Sequence, residues 1–159
     1  MSEQGSAGLS LDELRARRHE LLQLDDAVSY VRRVAQGRAD LARAELARRH
    51  SGGDPDLTDD LRHVLGDRLL ASSDRPPRPA EDFSDDPRSE ALDRLCAERG
   101  FGRLDELDDA AVGDLAAALD AFEGEVSAER KRLFAELDDL TDELVRRYRE
   151  QAPAGETDR

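Results

Sequence analysis

Apolar residues recur in steps of three, four and seven along the first third of the chain: Leu14, Leu21, Leu24, Val28, Val31, Ala35, Ala42 and Leu46. That spacing keeps side chains on one face of a helix. Ser10, Leu11, Asp12 and Glu13 read as a capping box, and Ser51, Gly52, Gly53, Asp54 and Pro55 as a stop, so the pattern predicts a helix over about 10–50, roughly 60 Å long. Leu115, Leu119, Phe122, Val126, Leu133, Leu137, Leu140 and Leu144 predict a second long helix over about 108–151. The acids from Asp105 to Asp109 suit its positively polarised start. Each stripe is too narrow to fold alone, so the two helices are expected to pair, with Ala35 and Ala42 permitting close approach.

The six prolines, at 55, 76, 77, 79, 87 and 153, spare both long stretches and mark what lies between them. A short helix is predicted over about 58–71, capped by Thr58 and carrying Leu61, Val64, Leu65, Leu69 and Leu70. Another is predicted over about 89–99, with Leu92, Leu95 and Cys96 on one face and Gly100 as its stop. The polar, Pro-rich stretch 72–87 reads as a mobile linker, and residues 1–9 and 152–159 as disordered ends. The expected fold is all-α, a single domain over 10–151. Its frame is a long antiparallel two-helix coiled-coil hairpin with two short accessory helices.

Composition limits what such a frame can do. Of the 159 residues 39% are charged, 38% hydrophobic and 4% aromatic, with no Trp, so the core is thin and built from Leu, Val and Ala. That leaves little material for a deep enzyme pocket. The net charge of −14 opposes phosphate-backbone binding and favours a basic protein partner over DNA or RNA. No apolar run approaches the roughly 18 residues of a membrane span, and no basic-then-apolar leader opens the chain, so the expected compartment is the cytoplasm. Cys96 is the single cysteine, without a basic neighbour in sequence, and reads as a small packed hydrophobe. His19, His50 and His63 are scattered without metal-ligand spacing and read as surface residues, so no metal site is expected. Gly37 and Gly124 lie inside the helices, either as tolerated defects or as places where ligand or partner backbone comes close.

One polar pattern stands out. Asp25, Ser29, Arg32, Gln36 and Asp40 follow the spacing acid-x3-Ser-x2-Arg-x3-Gln-x3-Asp. At ~100° per residue all five fall within about 80° of a helical wheel. Glu123, Ser127, Arg130, Phe134 and Asp138 repeat the spacing on the second long helix, with Phe134 where the first copy has Gln36. Each ridge sits roughly 90° round from its apolar stripe. In an antiparallel pair with aligned centres the ridges would meet about a local pseudo-twofold axis and suit a twofold ligand. An arginine fork fits the N7 and O6 edge of guanine, and a carboxylate accepts from guanine N1 and N2. Ser and Gln add hydrogen bonds to phosphate or sugar. Arg33, Lys131 and Arg132 supply local positive charge beside the ridges for an anionic ligand.

On these residues the chain resembles RsiG, an actinobacterial family of anti-sigma factors, whose motif is E/D-x3-S-x2-R-x3-Q-x3-D on two helices of an antiparallel coiled coil. Asp25, Ser29, Arg32, Gln36 and Asp40 match it in full, and the second copy departs at Phe134, where a ring could stack on a base instead of donating a hydrogen bond. The resemblance covers roughly 10–50 and 104–150. It implies binding of cyclic di-GMP, as a dimer of the nucleotide, and ligand-dependent capture of a sporulation sigma factor of the WhiG type, repressing transcription. No nucleophile paired with a base is visible, so an enzyme is not expected. A ligand-independent coiled-coil adaptor is the rival reading. In it Asp25, Arg32 and Asp40 make only exposed charge pairs along one helix.

Overall fold

Ser10 begins the first helix as the sequence predicts. In a computed structural model that describes residues 8–52 and 83–151, the Ser10 backbone N–H donates to Glu13 Oε2 at 2.6 Å and the Glu13 N–H donates to Ser10 Oγ at 3.2 Å. Two orphan donors of the first turn are thereby satisfied reciprocally. Helix α1 runs Leu11–His50. It ends where Ser51 Oγ donates to the carbonyls of Ala47 and Arg48 and Gly52 takes φ +82°, a left-handed conformation that suits glycine.

Helix α2 spans Pro87–Glu98. Here the sequence reading placed Pro87 in the linker, and the structure corrects it. Asp86 caps the helix by accepting the Arg88 N–H at 2.8 Å, and Pro87 occupies the first turn, where a missing N–H costs nothing and φ is preset. Leu92 and Cys96 are buried on its inner face. Gly100 terminates the segment at φ +75°, with Leu107 Cδ2 only 3.2 Å from where a Cβ would stand, so both conformation and space demand glycine. A 3-10 turn over Phe101–Glu106 follows, an element the sequence reading did not foresee. Asp108 then caps helix α3, Asp109–Gln151, by accepting the Ala111 N–H at 2.7 Å. The predicted helix over 58–71 and most of the predicted linker lie outside the described residues.

The described residues are all-helical, with no strand. None of their helices is long and apolar enough to cross a membrane. The chain divides into two compact units, Met1–Ser29 with Ser127–Arg159, and Tyr30–Val126.

In the first unit Leu14, Leu21, Ala27 and Val28 of α1 and Leu133, Leu137, Leu140 and Leu144 of α3 are buried. Arg15 Nε donates to the Tyr148 hydroxyl at 2.9 Å, Arg17 reaches Glu136 at 2.7 Å, and Arg130 reaches Asp25 at 3.2 Å. Partner numbers fall on α3 as they rise on α1, the antiparallel sense. Leu9, assigned by sequence to the N-terminal tail, has its carbonyl held by Arg147.

In the second unit the same stripe is made of smaller residues. Ala35, Ala39 and Ala42 are at most 1% exposed, and Ala42, Val112 and Ala116 form a cluster against which Leu46, Leu104 and Leu107 pack. Arg32 reaches Glu123, Arg43 reaches Asp120 and Arg49 reaches Asp109, again in descending order. Helix α2 is tied in through Arg38, whose Nη1 donates to Asp93 Oδ1 at 2.7 Å and to Cys96 Sγ at 3.3 Å.

Candidate functional site

The ten predicted site residues divide between the two units, and each unit joins groups from both motif copies. In the second unit Arg32 Nε donates to Glu123 Oε1 at 2.7 Å, and Gln36 Nε2 donates to the same oxygen at 3.0 Å. In the first unit Arg130 Nε donates to Asp25 Oδ1 at 3.2 Å, and the Ser29 hydroxyl approaches that oxygen at 3.5 Å. The arginine of each copy therefore pairs with the leading carboxylate of the other. The rival reading expected pairs along one helix; both motif arginines instead bond across helices.

The helical spacing explains the choice. Glu123, Ser127 and Arg130 stand four and three residues apart, as do Asp25, Ser29 and Arg32, so each acid and each arginine shares its stripe with the apolar seam close by. Both arginine side chains are 32% exposed, against 22% for Glu123 and 16% for Asp25. These are half-covered ion pairs at a surface, each contributing about 1 kcal/mol, and each sets a fork donor beside a carboxylate acceptor.

The remaining predicted residues fall differently. Asp40 accepts from Arg43 at 3.0 Å. Ser127 is half-buried on α3 and Asp138 is exposed, one turn beyond Phe134. Phe134 makes no edge bond; its ring lies 4.6 Å from the Arg130 guanidinium carbon, within cation–π range, and the residue is 40% exposed. Arg33, Lys131 and Arg132 are exposed beside the arginines that they follow. A Cβ at Gly37 or Gly124 would meet nothing within 4 Å, so no part of the described chain packs over either glycine.

The sequence reading missed a second repeated set. Glu45, Leu46, Ala47, Arg48 and Arg49 recur as Glu143, Leu144, Val145, Arg146 and Arg147, at the offset that relates the two motif copies. Arg48 grips Glu45 through Nε and Nη2 at 2.9 and 2.8 Å, and Arg49 Nε adds 2.7 Å. Arg146 grips Glu143 at 2.8 and 2.7 Å, with Arg147 Nε at 2.7 Å. Charge-assisted bonds from Arg48 and then Arg49 hold the Glu45 carboxyl at about 2, and Arg146 and Arg147 do the same for Glu143. The second arginine of each set also seizes backbone: Arg49 donates to the carbonyls of Leu107 and Leu104, both at 2.7 Å, and Arg147 to that of Leu9. Leu9 and Leu107 themselves stand at the same offset, each just before a helix cap. The constant offset was the available signal.

These features define an all-helical protein carrying a twice-repeated arginine–carboxylate motif. Compared with known families, residues 2–65 match the family described as RsiG-like. That match includes the whole first motif copy. No curated protein matches the chain.

Proposed function

We propose that the chain is a cyclic di-GMP-responsive anti-sigma factor that, when liganded, holds a WhiG-type sporulation sigma factor away from RNA polymerase. The observation that carries this reading is the reciprocal pairing of Arg32 with Glu123 and of Arg130 with Asp25. Each pair is by itself a site for one guanine. Its arginine engages the protein through Nε, so the terminal amino groups serve as the fork for guanine O6 and N7, while the carboxylate accepts from N1 and N2. Gln36, Ser29 and Ser127 are the polar groups for sugar and phosphate, with Asp40 and Asp138 flanking. The descending order of partners supports an antiparallel run of α1 against α3 within each unit. Ligand and sigma factor then strengthen each other's binding by the same factor, because each favours the same surface. A net charge of −14 steers a basic sigma factor towards it, so association slows as salt rises.

Isothermal titration of cyclic di-GMP into the purified chain, and into its mixture with a WhiG-type sigma factor, tests the reading. Heat in at least one titration is expected; none in either overturns it. The adaptor reading draws on the fact that both motif arginines already have protein acceptors. It requires that Arg32→Ala and Arg130→Ala leave sigma capture unchanged.

A further inference from the structure

Aromatic side chains are scarce in this chain, and among the described residues three have an arginine within cation–π range: Tyr148 with Arg15 at 5.4 Å, Phe101 with Arg38 at 5.8 Å and Phe134 with Arg130 at 4.6 Å. In the first two pairs a terminal amino group of the arginine is already bonded, Arg15 Nη1 to Asp12 and Arg38 Nη1 to Asp93 and Cys96. Arg130 differs. Among the described residues it donates through Nε alone, to Asp25 Oδ1 at 3.2 Å, and a guanidinium held over a ring spends none of its N–H groups there. Both terminal amino groups stay available for a ligand.

Leu22, Tyr30, Val145 and Tyr148 are also exposed apolar or aromatic residues, and single exposed side chains of this kind need no explanation. Phe134 is set apart by what surrounds it. It follows Arg130 by one helical turn, 40% exposed, at the motif position where the first copy carries Gln36. Across from it on α1, the Asp25 carboxylate holds Arg130, and the Ser29 hydroxyl approaches the same carboxylate oxygen. Lys131 is exposed next to Arg130. All five residues belong to the first compact unit, so the cluster is complete without the second.

We infer that Phe134 makes this cluster a stacking site for one purine nucleotide, adenine as well as guanine; the inference rests on the reading of Arg130 and Asp25 as base-binding groups given above. An aromatic ring and an arginine plane form a platform on which any base stacks, because every base has a π face. The edge contacts that would tell one purine from the other are few here. Phe134 brings no donor where a glutamine would, and N7, the acceptor that suits the Arg130 amino groups, is common to both purines. Asp25 accepts from guanine N1 and N2 or from the exocyclic amine of adenine. Lys131 supplies a cation for the phosphate.

Nuclear magnetic resonance of the full chain carrying ring-labelled phenylalanine reads this site directly, since the chain has four phenylalanines and the Phe134→Leu spectrum identifies the ring concerned. Adenosine monophosphate and guanosine monophosphate are titrated in separately. Both should shift the Phe134 ring resonances upfield and saturably, with half-saturation concentrations within about tenfold of each other. In Phe134→Leu, shown by circular dichroism to be folded, the Arg130 Nε–H resonance should need roughly tenfold more of either nucleotide to reach half-saturation. An unmoved ring with both nucleotides, an adenosine response over tenfold weaker than the guanosine one, or an unchanged half-saturation in Phe134→Leu overturns the stacking role. Any of these leaves the guanine reading standing if cyclic di-GMP gives heat in the titrations above; an unmoved ring together with no heat removes both.

Discussion

Replacing Arg32 separates what this side chain does for the fold from what it does for a ligand. Its pair with Glu123 at 2.7 Å is about a third exposed on the arginine side, so a charge-assisted bond there is worth about 1 kcal/mol rather than the larger figure for a buried pair. Arg32→Ala should therefore lower the melting temperature by about 2–4 °C in a chain of this length. Arg32→Lys keeps a cation within reach of Glu123 and should melt within about 1 °C of the wild type, yet an ammonium cannot span guanine O6 and N7 as a planar fork does. Losing a bidentate contact costs roughly 1–3 kcal/mol, or about 5- to 150-fold in affinity. Thermal melts followed by circular dichroism and titrations with cyclic di-GMP read the two effects independently. Wild-type affinity in Arg32→Lys would refute the fork argument, as would an affinity loss in both variants that merely tracks their melting temperatures.

Three further outcomes are expected. Arg49→Ala removes the donor to the Leu104 and Leu107 carbonyls, so amide hydrogen exchange should accelerate across residues 101–112 and remain unchanged across 127–140. Glu45 and Glu143 are depressed in the folded state to about 2, so their contribution is fully present above about pH 4.5 and is lost as pH falls from there towards 2. Chemical denaturation from pH 6 down to pH 2 should show that loss, and it should be smaller in the Glu45→Gln, Glu143→Gln double variant. Gly37→Ala and Gly124→Ala each place a methyl in open space within a helix and should raise stability by about 1 kcal/mol in a denaturant titration; an accompanying fall in ligand affinity would mark the glycine as a point of close approach.

What could be read in advance was what is local. Ser10 and Glu13 cap each other within three residues, and Gly100 stops a helix at its own φ, so both announce themselves in sequence. Pro87 was misread because a proline after Asp86 breaks a helix behind it and starts one ahead of it with equal ease. The 3-10 turn over Phe101–Glu106 owes its position to Leu104 and Leu107 packing on Ala42 and Val112, a contact with no local signature. Which acid meets Arg32 or Arg130 depends on how far one helix slides along the other, and α3 offers many acids; spacing identified the candidates and only the register chose Glu123 and left Asp40 to Arg43. The Glu45 and Glu143 clamps lay in plain view, masked by a chain in which 39% of residues are charged and Glu–Arg neighbours are commonplace.

Lys131 stands exposed on α3 immediately after Arg130, and it is the sole lysine in the sequence. Guanidinium groups do not react with acylating reagents under conditions that modify a primary amine, so a chain with arginine at nearly every other basic position offers such reagents one side chain and the α-amino group. A succinimidyl dye introduced at a pH where both amines react also takes the α-amino group, and the copy on Lys131 sits one residue from Arg130 of the Arg130–Phe134 pair, while the thiol of Cys96 stays shielded in the interior. The molecule thus carries its own built-in attachment point for an optical reporter, with no engineered handle required.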